Sequence, residues 1–418
     1  MKEDNHINVT DEELAKAFVG DKKAKKSTKH KMDLKKKSLI FLIIGIVFVL
    51  GGGAMLVIGL LGLTQNRETL DFPDLSSKDE KQTYYSKLTG QKLSDEAAVT
   101  APIYCMQTPN GTDGARPQAG LDKAGVVFEA IAEAGITRFA AIYQDPSSAV
   151  IGPIRSLRTY YLEWDVPFDC TIVHAGGAGD ALAAISAGGY RNLDESYTYM
   201  YRGTYGGRLW NNLFTTSNYL KKFNQDNGYS KSEAKGFARM TPAESNKSRV
   251  DQTVKNKLVI TEPAKGDTSK VEASVATIGI RFGGLPNFNV NYNYNADTNT
   301  YARNYQSGAA HEVYSCPDGD LGEKNPEDAC ALVQMTPSVI VAMVVNERKA
   351  ADNYHEDIDA IGSGDVYIFQ NGTAIKGTWS KPSKEDQIKF TDGEGKEIKL
   401  APGQTFVSVV PKYGSVEF

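Results

Sequence analysis

The longest apolar pattern in the chain is an uncharged run of 25 residues, 39–63. A helix of that length is about 37 Å long, against about 30 Å for the hydrocarbon core of a bilayer. A cleaved signal peptide is the alternative, but its apolar region would be about 7–15 residues long and followed by a small-residue cleavage site. The pattern therefore predicts one uncleaved transmembrane helix over residues 38–64.

The charges on either side of this run predict its orientation. Nine lysines stand in residues 22–37, whereas only Arg67 follows closely on the other side. The positive-inside rule then makes residues 1–37 a cytoplasmic tail and puts the remainder outside the cytoplasm. The sequence predicts a single-pass plasma-membrane protein, with a polar linker over residues 65–95 and extracytoplasmic domains beyond it.

Two domains with different patterns are predicted beyond the linker, over residues 96–245 and 255–418. In the first, Val126–Glu133 and residues 136–143 are strand-length runs around the small pair Ala134-Gly135, which predicts a tight hairpin. In the second, strand patterns dominate, and "VYIFQNGTAIKGTW" has a hairpin signal at Asn-Gly. We expect an α+β fold of layered mixed sheets covered by helices, with a β-rich C-terminal domain.

Two arginines in the stretch "GPIRSLRTYYLEW", residues 152–164, raise a question of charge. Pro153 suits the first helical position and predicts a helix start. Arg155 and Arg158 would then lie at the positive end of the helix dipole. They either bind an external anion there or pair internally with Glu129 or Glu133.

The predicted hairpin register extends this cluster. With a two-residue turn, Glu129, Ile131, Glu133 and Arg138 share one face of the sheet. We therefore expect one polar cluster of two glutamates with the three arginines, which are in excess and leave one guanidinium for an anion. The cluster comprises Glu129, Glu133, Arg138, Arg155 and Arg158, with Arg116 and His174 near its rim.

An alternative role for Glu129, Glu133 and His174 is proton transfer in a hydrolase. Residues i and i+4 on one strand face are about 13 Å apart along the backbone. The paired carboxylates of glycoside hydrolases are about 5–9.5 Å apart, so the two glutamate side chains would have to converge.

Three further residues have both a functional and a structural interpretation. His174 ends a strand just before a glycine-rich turn, where ligands often bind in α/β sheets, or it is a core histidine bonded to a carbonyl. Trp379 and Lys381, in "GTWSK", line a sugar or peptide surface, or else pack within a strand. No nucleotide-binding glycine motif, nucleophile elbow or metal-ligand spacing is present, so we predict no cofactor and no metal.

The net charge and the positions of the cysteines limit the functional class and the cellular compartment of the protein further. The net charge of −4 argues against a nucleic-acid binder. All four cysteines follow the apolar run, where disulfides can form. Cys316 and Cys330 enclose a polar, loop-like stretch and are expected to pair, which leaves Cys105 to pair with Cys170. The alternative is four reduced, buried cysteines.

Several separate motifs resemble the YerB-like family, bacterial lipoproteins with a domain of unknown function and a separate C-terminal domain. They include "RPQAGLDKAGVVFEAIAEAGITRFAAIYQD", "GPIRSLRTYYLEW", "HAGG" and "IGSGDVYIFQNGTAIKGTWSK". The resemblance implies an α+β fold of layered sheets and no established activity. The chain departs from it in two places: no cysteine stands directly after the apolar run, where the lipoproteins carry one, and Asn211 and Asn212 stand where the family has histidine and asparagine.

The sequence as a whole predicts a membrane-anchored extracytoplasmic protein that binds an anionic cell-envelope polymer or an envelope protein, without catalysis. An envelope hydrolase acting on a glycan or peptide is the alternative. A structural or sensory subunit is a third option. The candidate ligand-binding residues are Arg116, Arg138, Arg155, Arg158, His174, Asn212, Trp379 and Lys381.

Protease added to intact cells is expected to digest the extracytoplasmic part, because the lysine run holds the N-terminus inside. Immunoblotting against tags at the two ends measures the topology. A protected C-terminus, or a mature N-terminus near residue 65, would contradict the predicted anchor.

Overall fold

The computed structural model describes residues 82–204, 210–249, 258–261, 271–273 and 277–418. The chain divides into two compact units, Met1–Glu80 and Lys81–Phe418, and all described residues belong to the second. No helix among them is long and apolar enough to cross a bilayer. The cytoplasmic tail, the transmembrane helix and the first part of the linker that the sequence predicts lie outside the described residues.

Strands dominate the described part of the chain, and the fold is mixed α+β, with few helices and a β-rich C-terminal part. The helices are α1 Thr159–Asp165, α2 Gly179–Ser186, α3 Ser217–Asp226, α4 Pro242–Ser248 and α5 Pro326–Ala329. The strands of the first half are β1 Ile103–Pro109, β2 Val126–Glu133, β3 Ile136–Gln144, β4 Thr171–Val173, β5 Arg191–Leu193, β6 Tyr201–Arg202 and β7 Leu213–Phe214. Those of the second half are β8 Leu258–Thr261, β9 Val271–Ala273, β10 Thr277–Arg281, β11 Val290–Asn295, β12 Thr300–Tyr305, β13 Glu312–Ser315, β14 Ala331–Gln334, β15 Val339–Val345, β16 Glu347–Lys349, β17 Glu356–Ile358, β18 Gly362–Gln370, β19 Thr373–Lys381, β20 Lys389–Thr391, β21 Thr405–Pro411 and β22 Ser415–Glu417.

One 12-stranded sheet includes strands from both halves of the chain. Its order is β5-β4-β1-β3-β2-β21-β15-β18-β19-β8-β9, with β20 also paired to β19. The halves meet where β2 runs parallel to β21, from Val126 opposite Thr405 to Glu129 opposite Ser408. A second sheet, in the order β12-β11-β10-β22, belongs to the second half alone.

The two faces of the large sheet are covered differently. On one face, α1 packs its aromatic side chains onto the sheet, and Trp164 stacks on Phe128 with ring centroids 5.3 Å apart. On the other face, the small sheet packs through Ile278, Ile280 and Tyr292 against buried residues of β15 and β21. Burial of apolar side chains on both faces is what stabilises such a layered arrangement.

The predicted two-residue hairpin turns are confirmed. Ala134 and Gly135, with φ of 47° and 78°, close the hairpin of β2 and β3. Asn371 and Gly372, with φ of 55° and 74°, close that of β18 and β19. Positive φ at both central residues matches the twist of the flanking strands.

The prediction that a helix begins at Pro153 is wrong, because α1 begins at Thr159. The preceding segment is not helical, and its backbone bonds to distant strands and loops instead of to itself. Arg155 donates its backbone N–H to the Gln107 carbonyl at 2.8 Å and accepts from the Ala175 N–H at 3.1 Å. Arg155 therefore lies in an irregular segment before the helix and not in a first helical turn.

Both predicted disulfides are confirmed. Cys105 of β1 is bonded to Cys170, just before β4, and Cys316 is bonded to Cys330 across the loop between β13 and β14. No described cysteine is free.

Replacing Cys316 and Cys330 together by serine is expected to destabilise the protein by about 3 kcal/mol, because the bond closes a loop of about 15 residues in the unfolded chain. Urea unfolding measures the loss, and peptide mapping without reduction identifies both bonds. Free thiols at both positions in the native protein would contradict the pairing.

Candidate functional site

A β-bulge in β2 decides on which face of the large sheet each charge lies. Glu133 pairs with Ile136 as expected, but the register shifts between Ile131 and Glu133, so Arg138 lies opposite Ala130. One extra residue in a strand moves the following side chains to the opposite face. The predicted single cluster is therefore wrong: Glu129 and Glu133 belong to two separate clusters.

The Glu133 cluster contains two guanidinium groups and one carboxylate. Glu133 Oε1 accepts from Arg138 Nη2 at 2.6 Å, and Oε2 accepts from Arg158 Nη2 at 2.7 Å. All three side chains are buried. Burial lowers the pKa of Arg138, with Glu133 opposing and Arg158 adding to that effect. Internal pairing is thus the role of Arg138 and Arg158, and the cluster keeps an excess positive charge.

The Glu129 cluster lies between the two sheets. Glu129 Oε2 accepts from Arg303 Nη2 of β12 at 2.6 Å, and both side chains are 0% exposed. Its other oxygen accepts from Thr137 Oγ1 at 2.9 Å and from Asn110 Nδ2 at 3.2 Å. Burial alone would lower the pKa of Arg303, but Glu129 and nearby tyrosines outweigh it and raise that pKa.

His311 completes the Glu129 cluster as a neutral group. Burial, with the charges of Arg303 and Arg116, holds the pKa of His311 well below its usual range. Arg303 Nη1 can only donate, so Nδ1 of His311 accepts from it. Nε2 then carries the proton and donates to Gln118 Oε1 at 3.1 Å. Arg303 and His311 were not singled out from the sequence, because no local pattern indicates a contact 174 residues away.

Arg155 is the third arginine of the predicted cluster, and its position differs from the other two. Its guanidinium is partly exposed and has no hydrogen-bond or ion-pair partner among the residues that the structure describes. It lines a cleft of about 330 Å³. We call this the Arg155 cleft; the lining residues used below are Asp113, Glu133, Arg138, Arg155, Asn211, Leu285, Asn287 and Tyr354.

The lining residues that were missed as site residues in the sequence include Asp113 and Tyr354. Asp113 is exposed in the loop after β1, and its Oδ1 accepts from Asn211 Nδ2 at 3.2 Å. Tyr354 is 56% exposed at the rim. Only the turn-forming "NGTDG" after a buried strand could have drawn attention to Asp113, because charged loops of this kind are common.

Arg116 lies beside the cleft, and its guanidinium is fully engaged. It stands over the rings of Tyr305 and Phe288, 4.0 and 5.0 Å from their centroids. Its Nε donates to Asn110 Oδ1 at 2.8 Å, and Nη1 donates to the Asn287 carbonyl at 3.3 Å. Burial lowers the pKa of Arg116. It borders a neighbouring cavity of about 480 Å³.

The structure contradicts a ligand-binding surface at Trp379 and Lys381. Trp379 is 2% exposed and donates its Nε1 proton to the Val344 carbonyl at 2.7 Å. Lys381 is fully buried and donates to the carbonyls of Lys384 and Asp386, and burial lowers its pKa to about 8. Alternation along β19 turns both side chains inward, so the structural interpretation applies to them.

His174 and Asn212 also have internal partners. His174 is fully buried, with Nδ1 at 2.8 Å from the Gly176 carbonyl and Nε2 at 2.7 Å from Asn192 Oδ1. Asn212 accepts from Arg202 Nη1 at 2.9 Å, within the hairpin of β6 and β7. Neither side chain belongs to the lining of the Arg155 cleft.

The three candidates for proton transfer do not form a common site. Glu129 and His174 are 0% exposed, and Glu133 is held by two guanidinium groups. In the described part of the chain, no set of three or more histidine, cysteine, aspartate or glutamate side chains is arranged to hold a metal ion.

Arg138→Ala and Arg158→Ala are each expected to reduce the free energy of unfolding by about 1–3 kcal/mol, because each leaves one oxygen of the buried Glu133 without its charged partner. Arg155→Ala is the matched control and is expected to change it by no more than about 0.5 kcal/mol. Urea unfolding at neutral pH measures all three. Equal losses in the three variants would contradict the division of roles.

Comparison with known proteins gives one consistent result. Residues 88–230 match the family described as "Protein of unknown function (DUF3048) N-terminal domain", and residues 278–407 match its C-terminal domain. "Putative lipoprotein YerB" of Bacillus subtilis (strain 168) is 26% identical over 337 residues, covering 80% of this chain and 88% of that protein. The crystal structure of YerB protein from Bacillus subtilis has a TM-score of 0.61 at 22% identity, covers 80% of this chain and 100% of that one, and shows the same fold. The chain belongs to the YerB-like family.

Proposed function

We propose that this protein is anchored at the membrane and binds, outside the cytoplasm, an envelope component that carries a carboxylate or phosphate. The single observation that carries the proposal is the guanidinium of Arg155, which lines a cleft and has no partner among the described residues. A guanidinium forms two parallel hydrogen bonds with a carboxylate or phosphate. The role is binding and not catalysis.

The charges around the cleft support an anionic group at Arg155. Arg138 and Arg158 together face only one carboxylate, that of Glu133, so this side of the site keeps an excess positive charge. Both are fixed by that pairing and by backbone carbonyls. Arg155 alone is left to bind a ligand, and the fixed arginines strengthen the local field that favours an anion.

The extracytoplasmic location rests on three separate observations. Residues 39–63 are uncharged and apolar, and nine lysines precede them in residues 22–37. Two disulfides stabilise the fold, and such bonds persist mainly in oxidising compartments. The Bacillus subtilis relative is named "Putative lipoprotein YerB", and lipoproteins are held at the membrane by a lipid instead of a helix.

At millimolar concentration, glucuronate or inorganic phosphate is expected to raise the melting temperature of the purified full-length protein, since a ligand bound only by the folded state stabilises it by RT ln(1 + [L]/Kd). Arg155→Ala is expected to abolish the shift without lowering the melting temperature of the free protein. Differential scanning fluorimetry measures both.

Lys221→Ala is the matched control. It also removes one positive charge, from a partly exposed side chain paired with Asp145, away from the cleft. It is expected to keep the response to the anion. A shift that persists in Arg155→Ala, or no shift with either probe in the wild type, would contradict the proposed function.

A further inference from the structure

The Arg155 cleft contains a second group without a counter-charge. Asp113 is exposed, and the contact that the structure gives its carboxylate is the amide of Asn211, at 3.2 Å from Oδ1. Among the described residues no cation lies within 4.0 Å of it, Arg155 included. Two opposite charges thus line one cleft without neutralising each other.

The remaining charged side chains of the lining are already paired, and Glu133 also pairs with Arg158 outside the lining. Arg138 and Glu133 are bonded to each other at 2.6 Å and are buried. Among the described residues of the lining, the ligand therefore meets one available cation, Arg155, and one available anion, Asp113. A polymer with a phosphate on every unit would satisfy Arg155, but its other charges would be repelled by Asp113.

We propose that the ligand of the Arg155 cleft is zwitterionic: a short peptide, or an amino-acid-bearing fragment, with a free carboxylate and a free amine. Its carboxylate binds Arg155 and its ammonium group binds Asp113. The inference rests on the proposed function and names the ligand class for the same cleft.

The uncharged part of the lining fits a peptide between these two ends. Asn287, which is exposed, supplies an amide group that can bond to a peptide backbone, whereas Asn211 is buried and donates to Asp113. Tyr354 and Leu285, 56% and 47% exposed, offer apolar surface to a side chain. A volume of about 330 Å³ is at the lower end of small-molecule sites and suits two or three small residues.

Calorimetric titration of the purified full-length protein tests the ligand class. The probes are dialanine, trialanine and Nα-acetyl-lysyl-alanine, each with one free amine and one free carboxylate, and the same peptides with that amine acetylated. At least one free-amine peptide is expected to bind, and acetylation is expected to weaken it about tenfold or more, the usual effect of losing a charged hydrogen bond. A glycan fragment carrying the same peptide distinguishes a wall-bound source from a free peptide.

Asp113→Asn gives the sharpest test, because its expected effect on binding differs between two kinds of probe. Asparagine keeps an oxygen for Asn211 and removes the charge. Affinity for the free-amine peptide is expected to fall about tenfold, while affinity for phosphate stays the same or rises. Asp318→Asn, an exposed acid in the Cys316–Cys330 loop, is the matched control and changes neither.

The outcomes separate this inference from the proposed function. If phosphate or glucuronate binds through Arg155, but neither acetylation nor Asp113→Asn weakens peptide binding, the zwitterionic ligand is wrong and the anion site stands. If no peptide and no simple anion binds, both are wrong.

Discussion

The β-bulge between Ile131 and Glu133 is the constraint on which the charged part of this fold depends. Without it, Glu129 and Glu133 would point to one face and compete for the same arginines. Because of the bulge, the side chain of Glu129 points into the space between the two sheets. The side chain of Glu133 points to the opposite face of the large sheet, beside α1. Each carboxylate can then be buried, because each meets its own guanidinium partner.

The Glu129 cluster also explains why the two halves of the chain depend on each other. Glu129 belongs to β2 of the first half and Arg303 to β12 of the second, and both are fully buried. A buried ion pair contributes little net stability, but losing one partner strands the other in an apolar interior. The Glu129–Arg303 pair and the parallel pairing of β2 and β21 therefore make the folding of each half depend on the other.

The features predicted correctly from the sequence are local ones. The turns at Ala134-Gly135 and Asn371-Gly372 follow from residues that accept positive φ, and the Cys316–Cys330 bond follows from a short polar loop. The errors concern distant partners. A proline suggested a helix start, but the backbone of Arg155 is bonded to Gln107 and Ala175.

The candidate site shows the same limit. Its arginines were found from the sequence, and so was their excess over the glutamates. The sequence did not show which arginine remains available. The β-bulge decides which arginine meets a carboxylate, and no sequence pattern indicates that bulge. Trp379 and Lys381 were assigned to a ligand surface, since a strand pattern does not say which face is covered when both faces of a sheet are packed.

Arg116 and Arg155 differ in how the fold satisfies their guanidinium groups, and the difference shows that the available charge at Arg155 is not a general feature of arginines in this region. Arg116 lies beside the same cleft, and the fold satisfies it with two aromatic rings, an amide and a carbonyl. Those are ordinary means of holding a guanidinium without a ligand. Arg155 has none of them among the described residues, although Asp113 lines the same cleft and would neutralise it at contact distance. Both side chains reach solvent, where an ion pair contributes little to stability, so the fold loses little by keeping them apart and both charges stay available.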